Sequence, residues 1–203
     1  MSLKPGLEEA YRAEHRNIWR DVVEGITRYG IRNYSIFMTG NELYSYFEVD
    51  DLDRAMAQAA QDPVNRRWQE HMADFFLTSP GIQDGSTVYP VEILHVAGAT
   101  DSSAPYRRSA SLEHLVEARQ SEFQATAARG LAELQAQIRR LPVRNWSLYL
   151  IGTRVFEYVE APEPETFLAQ RADMPAYRAW RAGLEPLFKP NSRAALESVF
   201  YLE

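Results

Sequence analysis

Tyr11, His15 and Trp19 follow one another at intervals of four, so on a continuous helix they share one face. An imidazole in that position suits proton transfer near neutral pH, because one ring nitrogen can accept a proton and give it back. The other histidines, His71, His95 and His114, make no i, i+4 pair with it or with one another, so no metal clasp is expected. Cysteine is absent, which removes thiolate ligands, disulfides and thiol nucleophiles. No glycine-rich phosphate loop, Walker sequence or nucleophile elbow is present. The expected chemistry is acid–base, with no cofactor and no metal.

The chain contains its own comparison. Glu9 to Phe76 recurs as Ser121 to Phe188 at a constant offset of 112, without a gap. Asn33-Tyr34-Ser35-Ile36-Phe37 becomes Asn145-Trp146-Ser147-Leu148-Tyr149, and Gly40, Tyr46, Glu48, Pro63 and Trp68 recur as Gly152, Tyr158, Glu160, Pro175 and Trp180. Tyr11 and His15, however, become Phe123 and Ala127. A histidine beside aromatics is ordinarily a packed one. A purely structural position would need a similar group in both copies, so the loss of both polar groups points to chemistry in the first copy alone. Tyr34 and Trp68 have aromatic counterparts, and from pattern alone they read as core. His95 on the last strand of the first copy is answered by Tyr201.

These residues must be held by regular elements. Apolar residues from Leu7 to Ile26 recur at helical spacing, predicting one helix over Gly6 to Tyr29 that Gly30 stops. Asn33–Met38 and Leu43–Val49 flank the turn at Thr39-Gly40-Asn41, a hairpin signal. A helix is expected from Asp51 to Ala59, with Asp50 or Asp51 as its cap and Pro63 as its breaker. A second follows from Arg66 to Leu77, with Arg66 and Arg67 on its solvated edge. A loop carrying Pro80, Gly81, Asp84 and Gly85 leads to a strand from Val88 to Val96. Gly98 to Pro105 reads as a linker. The second copy repeats the pattern: strand Arg107–Leu115, helix Glu117–Arg140, hairpin Val143–Leu150 and Arg154–Val159, helices Thr166–Ala172 and Ala176–Phe188, and strand Leu196–Leu202.

Each copy therefore follows the strand–helix–strand–strand–helix–strand plan of ferredoxin-like folds. The expected domains are 1–98, which carries the candidate site, and 106–203, which is degenerate. Only Met1 to Lys4 represents the first strand of the first copy, so either that sheet edge is bare or another segment covers it. The fold class expected is α+β, with tandem ferredoxin-like repeats closing their bare faces into a pseudo-dimeric α+β barrel. Its lumen, walled on one side by His15, is the expected pocket.

Composition limits the partners. The formal charge of −6 lacks the basic footprint of a nucleic-acid surface. No apolar run approaches the roughly 18 residues needed to span a bilayer, and no secretory leader is evident. A cytoplasmic protein is expected, either a monomer acting as its own dimer or a homodimer of such units, with a small-molecule partner.

The first copy resembles the L-rhamnose mutarotase family. The run Leu3-Lys4-Pro5-Gly6-Leu7-Glu8-Glu9-Ala10-Tyr11-Arg12-Ala13-Glu14-His15-Arg16-Asn17-Ile18-Trp19 is similar to its first strand end and helix, and Gly30-Ile31-Arg32-Asn33-Tyr34-Ser35-Ile36-Phe37 to its hairpin entry. Arg67-Trp68 with Met72 resembles its Arg-Trp-Trp helix, and Glu92-Ile93-Leu94-His95-Val96 its last strand. The resemblance implies a dimeric α+β barrel fold and cofactor-free interconversion of sugar anomers. It implies that His15 is the proton-donating residue, that Tyr11 and Tyr34 contact the sugar, and that Trp68 is the first of a tryptophan pair. Gln69 replaces the second, so one stacking surface becomes an amide. The implied partner is L-rhamnose or a related deoxy sugar. The alternatives are another cofactor-free enzyme of this fold, a monooxygenase or isomerase, and an inactive small-molecule-binding module.

Overall fold

The computed structural model describes residues 1–78, 82–83, 86–87, 90–98 and 105–203, with only the backbone described at 82–83 and 86–87. The expected loop residues Pro80, Gly81, Asp84 and Gly85, and most of the expected linker, lie outside this set. The chain forms two compact units, Met1–Thr87 with Glu197–Glu203, and Val88–Leu196.

The first unit contains β1 (Ser2–Leu3), α1 (Glu8–Arg16), α2 (Arg20–Arg28), β2 (Arg32–Thr39), β3 (Glu42–Glu48), α3 (Leu52–Gln61), α4 (Pro63–Met72), β4 (Phe76–Thr78) and a small hairpin of β5 (Ile82–Gln83) and β6 (Ser86–Thr87). The second contains β7 (Val91–Ala97), β8 (Arg107–His114), α5 (Gln120–Ala127), α6 (Leu131–Ile138), β9 (Asn145–Ile151), β10 (Arg154–Ala161), α7 (Pro164–Asp173), α8 (Pro175–Leu184) and β11 (Ala194–Ala195). The last strand, β12 (Glu197–Leu202), belongs to the first unit. The α+β class and the repeated plan are those read from the sequence.

The two main sheets are antiparallel and equivalent in order, β12-β2-β3-β1-β4 and β7-β9-β10-β8-β11. Each is completed by the last strand of the other copy. β12 pairs with β2, setting Tyr201 opposite Ser35, and β7 pairs with β9, setting His95 opposite Ser147. The equivalence of His95 and Tyr201 thus holds in register while the strands are exchanged between units. The edge of the two-residue β1 is covered by β4, with Ser2 opposite Thr78 and Leu3 opposite Phe76.

The long helix expected over Gly6 to Tyr29 is two helices. Asn17 closes α1, its side-chain amide donating to the Ala13 carbonyl, and Trp19 takes an extended conformation that caps α2. Asparagine competes for helical carbonyls in this way. The helix expected over Glu117 to Arg140 breaks at the matching place, where Gly130 has φ 70°. Apolar spacing continues across both breaks, so periodicity alone does not register them. Asp51 caps α3 through the Arg54 amide, and Asp62 caps α4 through the Val64 amide. Pro63 therefore opens the next helix three residues before its expected start, because the missing amide costs nothing at a first helical position.

The first unit's core is a single layer between sheet and helices. Ile36 and Met38 of β2, Leu43 of β3, Tyr11 of α1, Val22 of α2, and Trp68 and Met72 of α4 pack together there. In the second unit Leu148, Leu150, Val155, Phe123, Leu134, Trp180 and Leu184 build the corresponding layer.

Candidate active site

α1 delivers Tyr11 and His15 one turn apart onto the helix-covered face of the first unit's sheet. Their ring centroids are 4.1 Å apart. α4 supplies Trp68, edge-on to His15 at 5.8 Å, and β12 supplies Phe200, also edge-on at 5.8 Å. Tyr34 of β2 packs against the other side of Phe200 at 5.8 Å and against Phe47 at 5.8 Å. The four residues singled out in the sequence, Tyr11, His15, Tyr34 and Trp68, therefore share one aromatic cluster. Phe200, the ring between His15 and Tyr34, was not among them. It reaches the cluster through strand exchange, which local pattern does not signal.

Two expectations are corrected. The imidazole does not face the bare side of the sheet, so a lumen wall is not its position. It lies between sheet and helices because the α1 stripe that carries it is the stripe that packs on β2 and β12. Trp19 also does not continue the α1 face. As the cap of α2 it stacks near His71 at 5.3 Å and meets Trp68 edge-on at 5.3 Å.

The local bonding fixes the tautomer of the neutral His15 ring. Its Nδ1 lies 3.1 Å from the Tyr11 carbonyl oxygen. A carbonyl only accepts, so Nδ1 carries the hydrogen and Nε2 of the neutral ring presents a lone pair. Burial lowers the proton affinity of His15, offset in part by the Tyr11 bond and by the Glu14 carboxylate. Burial raises the Tyr11 phenol well above its ordinary range, with Tyr34 adding to the effect, and raises the Tyr34 phenol to about 12. Both therefore remain hydrogen-bond donors. Among the described residues, the two phenolic oxygens, Nε2 of His15 and the Trp68 indole nitrogen make no hydrogen bond.

A second imidazole packs against the cluster through Trp68. His71, three residues after Trp68 on α4, lies 2.8 Å through Nε2 from the Glu14 carboxylate of α1. Its ring is 5.7 Å from that of Trp68. Arg66, Arg67 and Gln69 are exposed on the same helix.

The matching place in the second unit has been rebuilt. Trp146 stands for Tyr34, Phe123 for Tyr11 and Ala127 for His15. Trp180, the counterpart of Trp68, donates its indole N–H to the Ala127 carbonyl at 2.7 Å. Glu157 is buried there, accepting from Trp146, Arg171, Ser111 and Arg193. Burial pushes its carboxyl up, but Arg171 and Arg193 outweigh that and hold it down at about 2. Glu160, a counterpart of Glu48, is fully buried and pairs with Arg108 and Arg144. No proton carrier replaces His15. Among the described residues no group of three His, Asp or Glu could hold a metal ion, and no helix is long and apolar enough to cross a membrane.

The fold defines a tandem ferredoxin-like α+β protein whose first copy gathers aromatic rings around the His15 imidazole. A family profile described as L-rhamnose mutarotase matches residues 1–95 and again 108–202. The chain belongs to the L-rhamnose mutarotase family. It is 35% identical over 82 residues to the L-rhamnose mutarotase of Opitutus terrae, covering 39% of this chain and 78% of that one. It is 39% identical over 80 residues to that of Burkholderia ambifaria, covering 38% and 76%. Among solved structures, a putative monooxygenase from Lactobacillus acidophilus aligns over 99% of this chain and 91% of its own, with a TM-score of 0.58 and 8% identity. That likeness is one of fold and supports the pseudo-dimeric α+β class.

Proposed function

We propose that this protein is a cofactor-free aldose mutarotase acting on L-rhamnose or a related deoxy sugar, with His15 as its proton carrier and the first copy as its working site. One observation carries the reading. His15 Nε2 and the Tyr11 and Tyr34 hydroxyls belong to one aromatic cluster of the first unit and make no hydrogen bond among the described residues, and the second unit has carbon or indole at every matching position. Family membership supports the substrate class, since the relatives that match bear the name L-rhamnose mutarotase. A sugar partner and a cytoplasmic setting belong to the same proposal.

The reaction opens a cyclic hemiacetal and closes it on the opposite carbonyl face. With C1 of the sugar beside Nε2, the neutral imidazole takes the proton of the anomeric hydroxyl. The C1–ring oxygen bond breaks as the C1 carbonyl forms, and the imidazolium returns its proton to the ring oxygen. Both oxygens are bonded to C1, so one nitrogen serves both with little movement. Rotation about C1–C2 presents the other carbonyl face, and the same steps run backward to the other anomer. Tyr11 and Tyr34, held protonated, donate hydrogen bonds to the oxygen that transiently bears negative charge. Atoms and protons balance without an oxidant or reductant. Positioned acid–base catalysis of this kind contributes about 10²–10⁴-fold.

Exchange NMR between the two anomers of L-rhamnose tests the proposal. Wild type should exchange them faster than buffer, and His15→Ala should not. Sugar binding without exchange would make the protein a binding module instead.

A further inference from the structure

We propose that Glu14, held in place by His71, is a positioning residue for His15, its fixed negative charge favouring the imidazole while that ring carries the proton. The inference rests on the mutarotase reading of the same site.

Three observations converge on it. Glu14 is the chain neighbour of His15, and its carboxylate turns across to α4, where Oε2 lies 2.8 Å from Nε2 of His71. His71 is itself fixed by ring contacts with Trp68 and Trp19, and Trp68 is the same ring that His15 meets edge-on. A single carboxylate thus ties together the two helices that bear the site. The second copy supplies the comparison. Glu14, His15 and His71 become Thr126, Ala127 and Gly183, so all three ionisable groups have disappeared together while Trp180 is kept. The spatial match is direct, because a β-carbon built on Gly183 would lie 3.5 Å from the Thr126 methyl group.

The physical reason lies in the proton transfer. A buried imidazole resists carrying charge, yet the mechanism requires it to hold a proton between two oxygens. A fixed carboxylate nearby favours that state, and one free to rotate into water does so less. The titratable groups around His15 are few. α1 offers Tyr11 and Glu14, β2 offers Tyr34, and α4 offers His71 beyond Trp68, while the residue that β12 packs against the ring, Phe200, carries no titratable group. The Glu14 charge raises the proton affinity of the ring, against the larger lowering by burial.

The test compares wild type with Glu14→Gln, His71→Ala and His71→Gln. The two His71 variants remove the same titratable group, but only glutamine retains an N–H donor able to hold Glu14. NMR titration of the His15 ring nitrogens reads proton affinity without requiring activity. Glu14→Gln should lower the His15 midpoint by about 0.5 pH unit or more. The midpoint in His71→Ala should fall below that in His71→Gln. Anomer exchange should slow roughly threefold to tenfold in Glu14→Gln and His71→Ala through kcat, with KM nearly unchanged, and recover in His71→Gln. Identical His15 midpoints in wild type and Glu14→Gln would overturn the proposal, as would equal midpoints in the two His71 variants. If the titrations behave as expected but wild type exchanges no sugar anomers, the mutarotase reading fails and the coupling stands.

Discussion

The indole N–H of Trp180 is bonded to the carbonyl of Ala127 at 2.7 Å, whereas the matching Trp68 lies edge-on to His15 at 5.8 Å with its indole nitrogen unbonded among the described residues. Where the second copy lacks the imidazole, its tryptophan closes onto the helix backbone. Trp180 is therefore a core group. Trp180→Ala is expected to cost about 3–5 kcal/mol, as large aromatic truncations do. Trp180→Phe should cost less, because it keeps most of the ring but strands the Ala127 carbonyl. Urea denaturation of both variants checks this; a loss under about 1 kcal/mol for alanine would show a surface group.

His15 should behave in the opposite manner. Ala127 shows that this framework accepts alanine at the position. His15→Ala is expected to lower anomer exchange about 10²-fold or more while costing under about 2 kcal/mol of stability. Measuring exchange and thermal unfolding on one preparation separates the effects, and collapse of the fold would contradict the reading.

The pH dependence of activity follows from the neutral ring. Burial lowers the proton affinity of His15 below the ordinary 6.5, against the pull of the Tyr11 carbonyl and Glu14. The imidazole must be neutral to accept the first proton, so the rate falls as pH drops through the folded-state value. The midpoint of the acid limb is expected below 6.5. Because the unfolded chain binds this proton more readily, His15 also removes stability as pH falls below its unfolded value. An exchange-rate profile from about pH 4.5 to 8 reads the limb directly; a midpoint above the ordinary histidine value would exclude a buried neutral base.

Glu157 makes the second unit sensitive to stronger acid. Burial raises its carboxyl, and Arg171, Arg193 and Trp146 more than reverse this, leaving it at about 2 against an ordinary 4.5. A depressed carboxylate contributes stability that is present above the unfolded value and lost as pH falls from about 4.5 toward 2. The loss should be about 3 kcal/mol across that window. Glu157→Gln should remove that pH dependence and destabilise the protein at pH 7, since Arg171 and Arg193 lose a buried partner. Denaturant unfolding at several pH values distinguishes this from general acid sensitivity.

Much of the fold was legible in local pattern. The Thr39-Gly40-Asn41 turn, the Asp51 cap and the strand Arg107–Leu115 appear within a residue or two of their expected places. Such features depend on neighbours along the chain. The helix breaks at Asn17 and Gly130 were hidden because the apolar stripe runs through them. In the candidate site, Tyr11, His15, Tyr34 and Trp68 were readable from the repeat and the resemblance. Phe200 was not, and Glu14 and His71 became meaningful only once α1 and α4 were seen side by side. The offset of 112 that exposes Ala127 also gives Thr126 and Gly183, so a signal for them was present.

By itself the amino-acid sequence determined that two copies of one plan exist, that one lost its imidazole, and to which family they belong. Those facts reside in residue identity and spacing. Tertiary structure alone decided that β7 and β12 change places between the sheets, and that His15 lies beneath helices rather than on the bare face. Two such similar copies offer each last strand two comparable edges. Long-range pairing and burial choose between them, and neither depends on spacing along the chain.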